Sequence, residues 1–159
     1  MNHLAAYKKP IVIIGAGGIV NTAHLPAYKL AGYEVAGIYD VNNDKAQATA
    51  KNFQIPWVYD SLKQAVDHAP GKVIFDVAVP GAEILNILQH LPPQASVLMQ
   101  KPMGNDLQAA QDILQLTRSK QMTAGVNFQL RYAPYIKAVR QLIKQGAIGE
   151  LCDIEVHVN

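Results

Sequence analysis

A run of four β-branched residues, Ile11–Ile14, ends abruptly at the glycine-rich stretch Gly15-Ala-Gly-Gly18. Four residues are too few for a helix, and an uninterrupted apolar run is typical of a strand that is buried on both faces of a parallel sheet. The residues after the glycines have helical character through about Leu30. The start of the sequence therefore predicts a strand, a tight turn and a helix in direct succession.

The same alternation continues along the chain. Short apolar runs predict further strands at residues 34–40, 57–59, 73–79, 96–100 and 122–126. Helical spacing predicts helices between them, with the cluster Asn42-Asn-Asp44 and Ser61 as N-terminal caps, then a helix from Asn105 to about Ser119 and a last helix that ends at Gly146. Strands that alternate with helices form right-handed βαβ units. We therefore expect an α/β fold with a Rossmann-type, doubly wound and mainly parallel sheet of six strands.

The last residues have a different pattern. From Cys152 to Val158 apolar and polar side chains alternate, which is typical of a strand with one face in water. Because such a strand needs a neighbour and the sequence stops at Asn159, we expect the chain to end at the first strand of a second α/β domain. The alternative is that this strand extends the edge of the first sheet. The predicted division is residues 1–126 for the Rossmann-type domain, 127–150 for a connecting helix region and 151–159 for the strand.

Composition argues against several classes of function. Half of the 159 residues are apolar, and 14 basic residues stand against 12 acidic ones, so no charged tail for nucleic acid is predicted. The longest apolar stretch, residues 11–20, contains three glycines and is shorter than the ~20 residues of a membrane span. One cysteine and five histidines without ligand spacing predict neither disulfides nor a metal site. We expect a cytoplasmic protein that binds neither nucleic acid nor membranes.

The glycine-rich turn has the features of a dinucleotide site. Gly15 and Gly17 stand directly after the first strand, although Val20 takes the place of the third glycine in a GxGxxG motif. One glycine permits the tight turn and the next lets a pyrophosphate approach the backbone, while the helix N-terminus offers free N–H groups to the anion. The cofactor-binding residues predicted in this turn are Gly15, Ala16, Gly17, Gly18 and Ile19.

Asp40 ends the second predicted strand, at the ~20-residue distance from the glycines that a ribose-binding acid requires. A carboxylate at this position accepts hydrogen bonds from both hydroxyls of a ribose and repels a 2′-phosphate. No arginine follows it, so we expect NAD as the cofactor, while Lys45 leaves NADP open. The alternative interpretation is that Asp40 only caps a helix or holds a turn.

Two proline-containing segments follow central strands of the predicted sheet. Pro80 comes after Val79 at the end of the fourth strand, and Lys101-Pro102 follows the fifth. Both segments should lie at the carboxyl edge of the sheet, where such folds bind ligands. A lysine at this edge either contacts a ligand or is simply solvated. Tyr59, which begins a Tyr-x-x-x-Lys spacing, comes too early in the chain to reach this place, and we expect it on the surface.

These residues resemble the glucose-fructose oxidoreductase / inositol dehydrogenase / MocA family of nicotinamide-dependent dehydrogenases, and the resemblance extends through the whole chain. It rests on Gly15-Ala-Gly-Gly-Ile-Val-Asn-Thr-Ala-His-Leu-Pro-Ala27, on Asp40 and Pro80, on Gln100-Lys101-Pro102, and on Gly125-Val-Asn-Phe-Gln-Leu-Arg-Tyr-Ala-Pro134 with Ile148-Gly-Glu150. Lys-Pro after the fifth strand together with Arg-aromatic-x-Pro after the sixth is fairly specific.

The resemblance implies a nucleotide domain of this size, followed by a mostly antiparallel α/β domain that shapes the substrate pocket. It also implies that Lys101 is catalytic and lies near the nicotinamide and the substrate hydroxyl. The cofactor-binding residues that it implies along this crevice are Val79, Pro80, Lys101, Pro102, Asn127 and Arg131. The sequence departs from the family at Gln100, where a glutamate is usual. Up to Asn159 it also has no counterpart of the acid–base histidine that such enzymes carry in the second domain.

The leading hypothesis is the nucleotide domain of an NAD-preferring dehydrogenase that acts on a hydroxyl or keto group of a sugar or cyclitol-like substrate. Alone, the chain is expected to bind cofactor with little or no turnover, because most residues that would hold the substrate are absent. Two alternatives are a non-catalytic module that senses NAD and, with less support, an S-adenosylmethionine-dependent methyltransferase. The alternating last strand could also pair with a symmetry mate, so a homo-oligomer is left open.

Overall fold

A sheet of five parallel strands is the centre of the computed structural model, which describes residues 8–157. The strands are β1 (Ile11–Ile14), β2 (Val35–Tyr39), β3 (Ile74–Val77), β4 (Ser96–Met99) and β5 (Thr123–Val126), in the spatial order β2-β1-β3-β4-β5. All four neighbouring pairs are parallel. The Rossmann-type parallel sheet expected from the alternation is therefore confirmed.

Helical segments connect the strands. They are a π-helical turn (Val20–His24) that runs into α1 (Leu25–Ala31), then α2 (Asn43–Phe53), α3 (Leu62–Asp67), α4 (Gly81–His90), α5 (Leu107–Ser119), a 3-10 turn (Gln129–Tyr132) and α6 (Pro134–Lys144). The predicted N-caps are confirmed, because the side chains of Asn42 and Ser61 accept backbone N–H groups in the first turns of α2 and α3. Helix α5 begins at Leu107 rather than Asn105, since Asp106 caps it in the same way.

Strand β1 supplies the apolar core on both faces of the sheet. Val12 and Ile14 belong to one buried cluster, and Ile11 and Ile13 belong to another. Because successive side chains of a strand point to opposite faces, the two clusters lie on the two sides of the sheet. Each fully buried isoleucine contributes roughly 1.5–3 kcal/mol relative to an exposed one. This burial fixes β1, and with it the turn that follows.

The prediction of a strand at residues 57–59 is wrong, and the sheet has five strands in the described residues rather than six. Only Val58 forms a bridge, with Ile38 of β2. The segment cannot extend because Pro56 precedes it and the cap of α3 follows at Ser61. The surface position predicted for Tyr59 is also wrong, since this side chain is 5% exposed.

The chain divides into two compact units, Met1–Asn127 and Phe128–Asn159. In the second unit, Leu151–His157 is exposed and has no strand, although alternation predicted one from Cys152 to Val158. A strand requires a partner for its backbone groups, and no described residue of this unit supplies one. Val158 lies outside the described residues. The start of a second domain at residues 151–159 stays a prediction.

Candidate coenzyme site at the carboxyl edge of the sheet

The carboxyl ends of the strands meet at one edge of the sheet, because all the strands are parallel. Gly15 follows β1, Asp40 follows β2, Ala78 follows β3, Gln100 follows β4 and Asn127 follows β5. The chain leaves β1 for β2 on one side, whereas β3 and the later strands lie on the other side of β1. This reversal is the topological switch point at which open α/β sheets bind ligands.

Gly15 makes the turn after β1 possible. Its φ of +109° belongs to a region that side chains rarely adopt, and a Cβ atom would lie 2.4 Å from the carbonyl oxygen of Ala78. Its N–H donates to the carbonyl of Tyr39 at 2.7 Å. The turn is thus packed between the ends of β2 and β3, and only glycine fits there.

Gly17 and Gly18 lie differently from Gly15, because both are exposed and a Cβ atom on either would have no described atom within 4 Å. The first helical turn starts here, so its leading N–H groups have no partner within the helix. The side chains of Asn21 and Thr22 donate to the carbonyl oxygens of Gly17 and Gly18, at 3.0 and 2.8 Å. Carbonyl groups are thereby bonded inside the helix while the N–H end faces open space, which fits a phosphate group.

Val20, which stands where a third glycine would be, is fully buried. It opens the π-helical turn, in which the N–H of Leu25 donates to the carbonyl of Val20. π-Helical turns are rare in proteins, but those that occur are often found at functional sites. A valine in this position therefore packs against the sheet without occupying the open space above Gly17 and Gly18.

Asp40 connects the tip of β2 to the glycine turn. One carboxylate oxygen accepts the N–H of Ala16 at 2.6 Å, and the other accepts the N–H of Asn42 at 2.8 Å. The bond to Asn42 is the turn-holding role that the sequence left as an alternative, but the helix cap of α2 is Asn42 itself. An ionised carboxylate has about four acceptor positions, so these two bonds leave capacity for ligand hydroxyls.

The loops after β3 and β4 pack against each other at the same edge. Val79 is half-buried, Pro80 is exposed, and Gly81 begins α4. A Cβ atom on Gly81 would lie 3.1 Å from the carbonyl oxygen of Pro102, so the two loops are in close contact at this glycine. Lys101 is exposed, as a ligand-contacting lysine must be.

A buried polar cluster lies beneath this edge, and the sequence reasoning missed it. Asp76, in the middle of β3, is 0% exposed and accepts from the Tyr28 hydroxyl at 2.9 Å; it pairs with His24 Nδ1 at 2.7 Å. Burial, and next the charge of Asp76, raise the pKa of Tyr28 well above its usual value. The available signal was the single acidic residue inside the apolar run 73–79, since a buried carboxylate requires partners.

Hydrogen bonds connect this cluster to two of the predicted site residues, directly to Asn127 and through Gln100 to Lys101. Asn127 Nδ2 and Gln100 Nε2 face His24 Nε2 at 3.1 and 3.3 Å. Gln100 Oε1 accepts the backbone N–H of Lys101 at 2.8 Å. Arg131 belongs to the second unit, in its 3-10 turn, and its position by the crevice stays a prediction.

Comparison with known proteins identifies the family. Residues 9–128 match the model of GFO_IDH_MocA, an oxidoreductase family with an NAD-binding Rossmann fold. The chain belongs to this family. The family resemblance, the Rossmann fold and, at the level of the family, NAD as cofactor are therefore confirmed. Glucose-6-phosphate 3-dehydrogenase of Bacillus subtilis is 28% identical over 149 residues, which cover 94% of this chain and 42% of that protein.

Solved structures of the family share the fold. An oxidoreductase from Thermotoga maritima matches with a TM-score of 0.81 at 22% identity, over 91% of this chain and 45% of the other. A scyllo-inositol dehydrogenase from Lactobacillus casei, solved with bound NAD(H) and scyllo-inositol, matches with a TM-score of 0.73 at 19% identity, over 91% and 43%. The chain thus spans less than half the length of these relatives. Within residues 8–157, the helices are all too short or too polar to cross a membrane.

Proposed function

We propose that this chain is the NAD-binding part of a dehydrogenase that transfers hydride between the nicotinamide and a hydroxyl or keto group of a sugar or cyclitol-like substrate. The observation that carries the proposal is the open space above Gly17 and Gly18, directly beside the Asp40 carboxylate. Two relatives support the substrate class by name, one for glucose 6-phosphate and one for inositol.

Different residues of the chain bind different parts of NAD in this proposal. In the proposal, the N–H groups of Gly17 and Gly18 hold the pyrophosphate, and the helix dipole favours its negative charge. Asp40 accepts the hydroxyls of the adenosine ribose and repels a 2′-phosphate. Ala16 and Ile19 flank the pyrophosphate, while Val79, Pro80, Pro102 and Asn127 line the path toward the nicotinamide.

Lys101 is the proposed catalytic residue. When bound, NAD supplies the hydride acceptor for alcohol oxidation. The Lys101 side chain would hydrogen-bond the substrate hydroxyl and help to take up its proton as the hydride departs. Residues that orient the substrate are proposed to lie mostly beyond this chain, so we expect cofactor binding without appreciable turnover.

Isothermal titration calorimetry tests the proposal. NADH should bind with measurable heat, whereas S-adenosylmethionine should not. Gly17→Val fills the open space without a close contact, and losing two charge-assisted hydrogen bonds should weaken NADH at least about 100-fold. Gly125→Val is the matched control, because its Cβ also meets no described atom within 4 Å, and it should bind NADH like the parent chain.

The outcomes separate the candidate functions. Equal NADH affinity in Gly17→Val and the parent chain would contradict the proposed cradle, and heat from S-adenosylmethionine alone would favour the methyltransferase. A second test uses a longer protein that carries the further domain. There, Lys101→Ala should lower the rate of hydride transfer while NADH affinity is largely kept, whereas an NAD sensor would transfer no hydride in either form.

A further inference from the structure

A directed chain of hydrogen bonds leads from the backbone of Lys101 to the buried Asp76. The Lys101 N–H donates to Gln100 Oε1 at 2.8 Å, and the other end of the same amide, Gln100 Nε2, faces His24 Nε2 at 3.3 Å. On its far side, His24 Nδ1 lies 2.7 Å from Asp76 Oδ2. The coenzyme contacts proposed above do not require this series of hydrogen bonds.

The direction of the chain follows from its first bond. A backbone N–H can only donate, so the Gln100 atom that faces it must be the amide oxygen. The amide NH₂ of Gln100 therefore points at His24 Nε2, which has to act as an acceptor. The imidazole proton is then on Nδ1, where it donates to the Asp76 carboxylate.

A doubly protonated imidazole does not fit these neighbours. An N–H at Nε2 would oppose the NH₂ group of Gln100, whose orientation the Lys101 N–H fixes. Among residues 8–157, the titratable groups with a hydrogen bond or ring contact to His24 are Asp76, through the Nδ1 bond, and Tyr28, through an edge contact of the rings at 6.2 Å. Both acceptor and donor sides of His24 are thus assigned, and the ring is only 5% exposed.

We propose that Gln100 is a positioning residue that fixes the His24 proton on Nδ1 and anchors the backbone of Lys101 at the coenzyme edge. The first half concerns the folded chain alone. The second half rests on the proposed function, because it matters only if the nicotinamide lies beside Lys101.

Long-range ¹H–¹⁵N NMR of the 159-residue chain at neutral pH tests the first half. His24 should show a protonated Nδ1 and an unprotonated Nε2. A proton on Nε2, or on both nitrogens, would overturn the assignment without any variant being made.

Two substitutions of similar length separate the two bonds of Gln100. Gln100→Glu keeps an acceptor for the Lys101 N–H but presents an acceptor to His24 Nε2. His24 should therefore gain a second proton, while the hydrogen-exchange rate of the Lys101 amide should equal that of the parent chain. Gln100→Met has neither polar atom, and its Lys101 amide should exchange roughly tenfold faster. If Gln100 only filled space, the ¹⁵N shifts of His24 and the exchange rate of Lys101 would be the same in all three proteins.

NADH titration of the same samples tests the second half. The amide of Gly17 should shift equally in the parent chain and in Gln100→Met, whereas the NADH-induced shift of the Lys101 amide should fall by at least half in Gln100→Met. No shift at Gly17 would contradict the proposed function but not the His24 assignment. A Gly17 shift with an unchanged Lys101 shift would instead overturn the positioning role.

Discussion

Asp40→Ala tests the structural and the ligand-binding role of one carboxylate together. In the structure this group accepts the N–H of Ala16, which is buried, and the N–H of Asn42, which is exposed. Water replaces the acceptor at Asn42, whereas an unsatisfied buried N–H costs about 1–3 kcal/mol. We therefore expect a loss of about 2 kcal/mol in unfolding free energy, which lowers Tm by about 4–8 °C in a domain of this size.

The same substitution should change coenzyme preference. A carboxylate about 4 Å from a 2′-phosphate experiences a repulsion of about 1–4 kcal/mol per unit charge in an effective dielectric constant of about 80 to 20. Removing Asp40 abolishes this repulsion and also the hydrogen bonds to the ribose of NADH. The ratio of NADPH to NADH affinity should therefore rise about tenfold or more.

Calorimetric titration of both coenzymes, at a temperature well below the lowered Tm, measures that ratio. Asp44→Ala is the control, because Asp44 is an exposed acid in the first turn of α2 and should leave the ratio unchanged. A folded Asp40→Ala chain with the parental ratio would show that this carboxylate holds the turn and does not contact the ribose.

Two further predictions concern stability. Gly15→Ala combines a backbone strain of roughly 1–2 kcal/mol at φ +109° with a contact of 2.4 Å to the carbonyl oxygen of Ala78. Its Tm in thermal denaturation should therefore fall further than that of Asp40→Ala. An unchanged Tm would contradict the turn geometry. The folded state holds the pKa of Tyr28 above its usual value, chiefly by burial and next by the charge of Asp76. The stability that comes from keeping Tyr28 neutral is therefore complete below about pH 10 and is lost as the pH rises from there toward the raised pKa. Denaturant unfolding should therefore show a smaller alkaline loss in Tyr28→Phe than in the parent chain, and equal losses would refute this.

Local sequence patterns predicted most of the fold, because apolar runs and helix caps depend on residues that are close together in the sequence. The run Ile11–Ile14 is a strand with the predicted bounds, and Asn42 and Ser61 cap the predicted helices, since a cap depends on residues three positions apart. Pairing between strands is not local. Residues 57–59 have the composition of a strand but only Val58 pairs, and Leu151–His157 alternates without a partner in its unit.

The site was predictable where a backbone motif determines it. The glycine turn and Asp40 come together as their spacing indicated, because they end adjacent strands. The polar cluster below them joins His24 to Asp76, which are 52 positions apart, and no spacing rule connects such residues. The role of Gln100 could not be predicted from the sequence either, because it depends on which atom of its side-chain amide accepts the Lys101 N–H.

Backbone amide NMR of the uniformly ¹⁵N-labelled chain during NADH titration tests the central claim most directly. We expect the largest saturable shifts at the N–H groups of Gly17, Gly18 and Ile19, with smaller shifts at the residue after Asp40. Shifts confined to other surfaces, or none at saturating NADH, would contradict it.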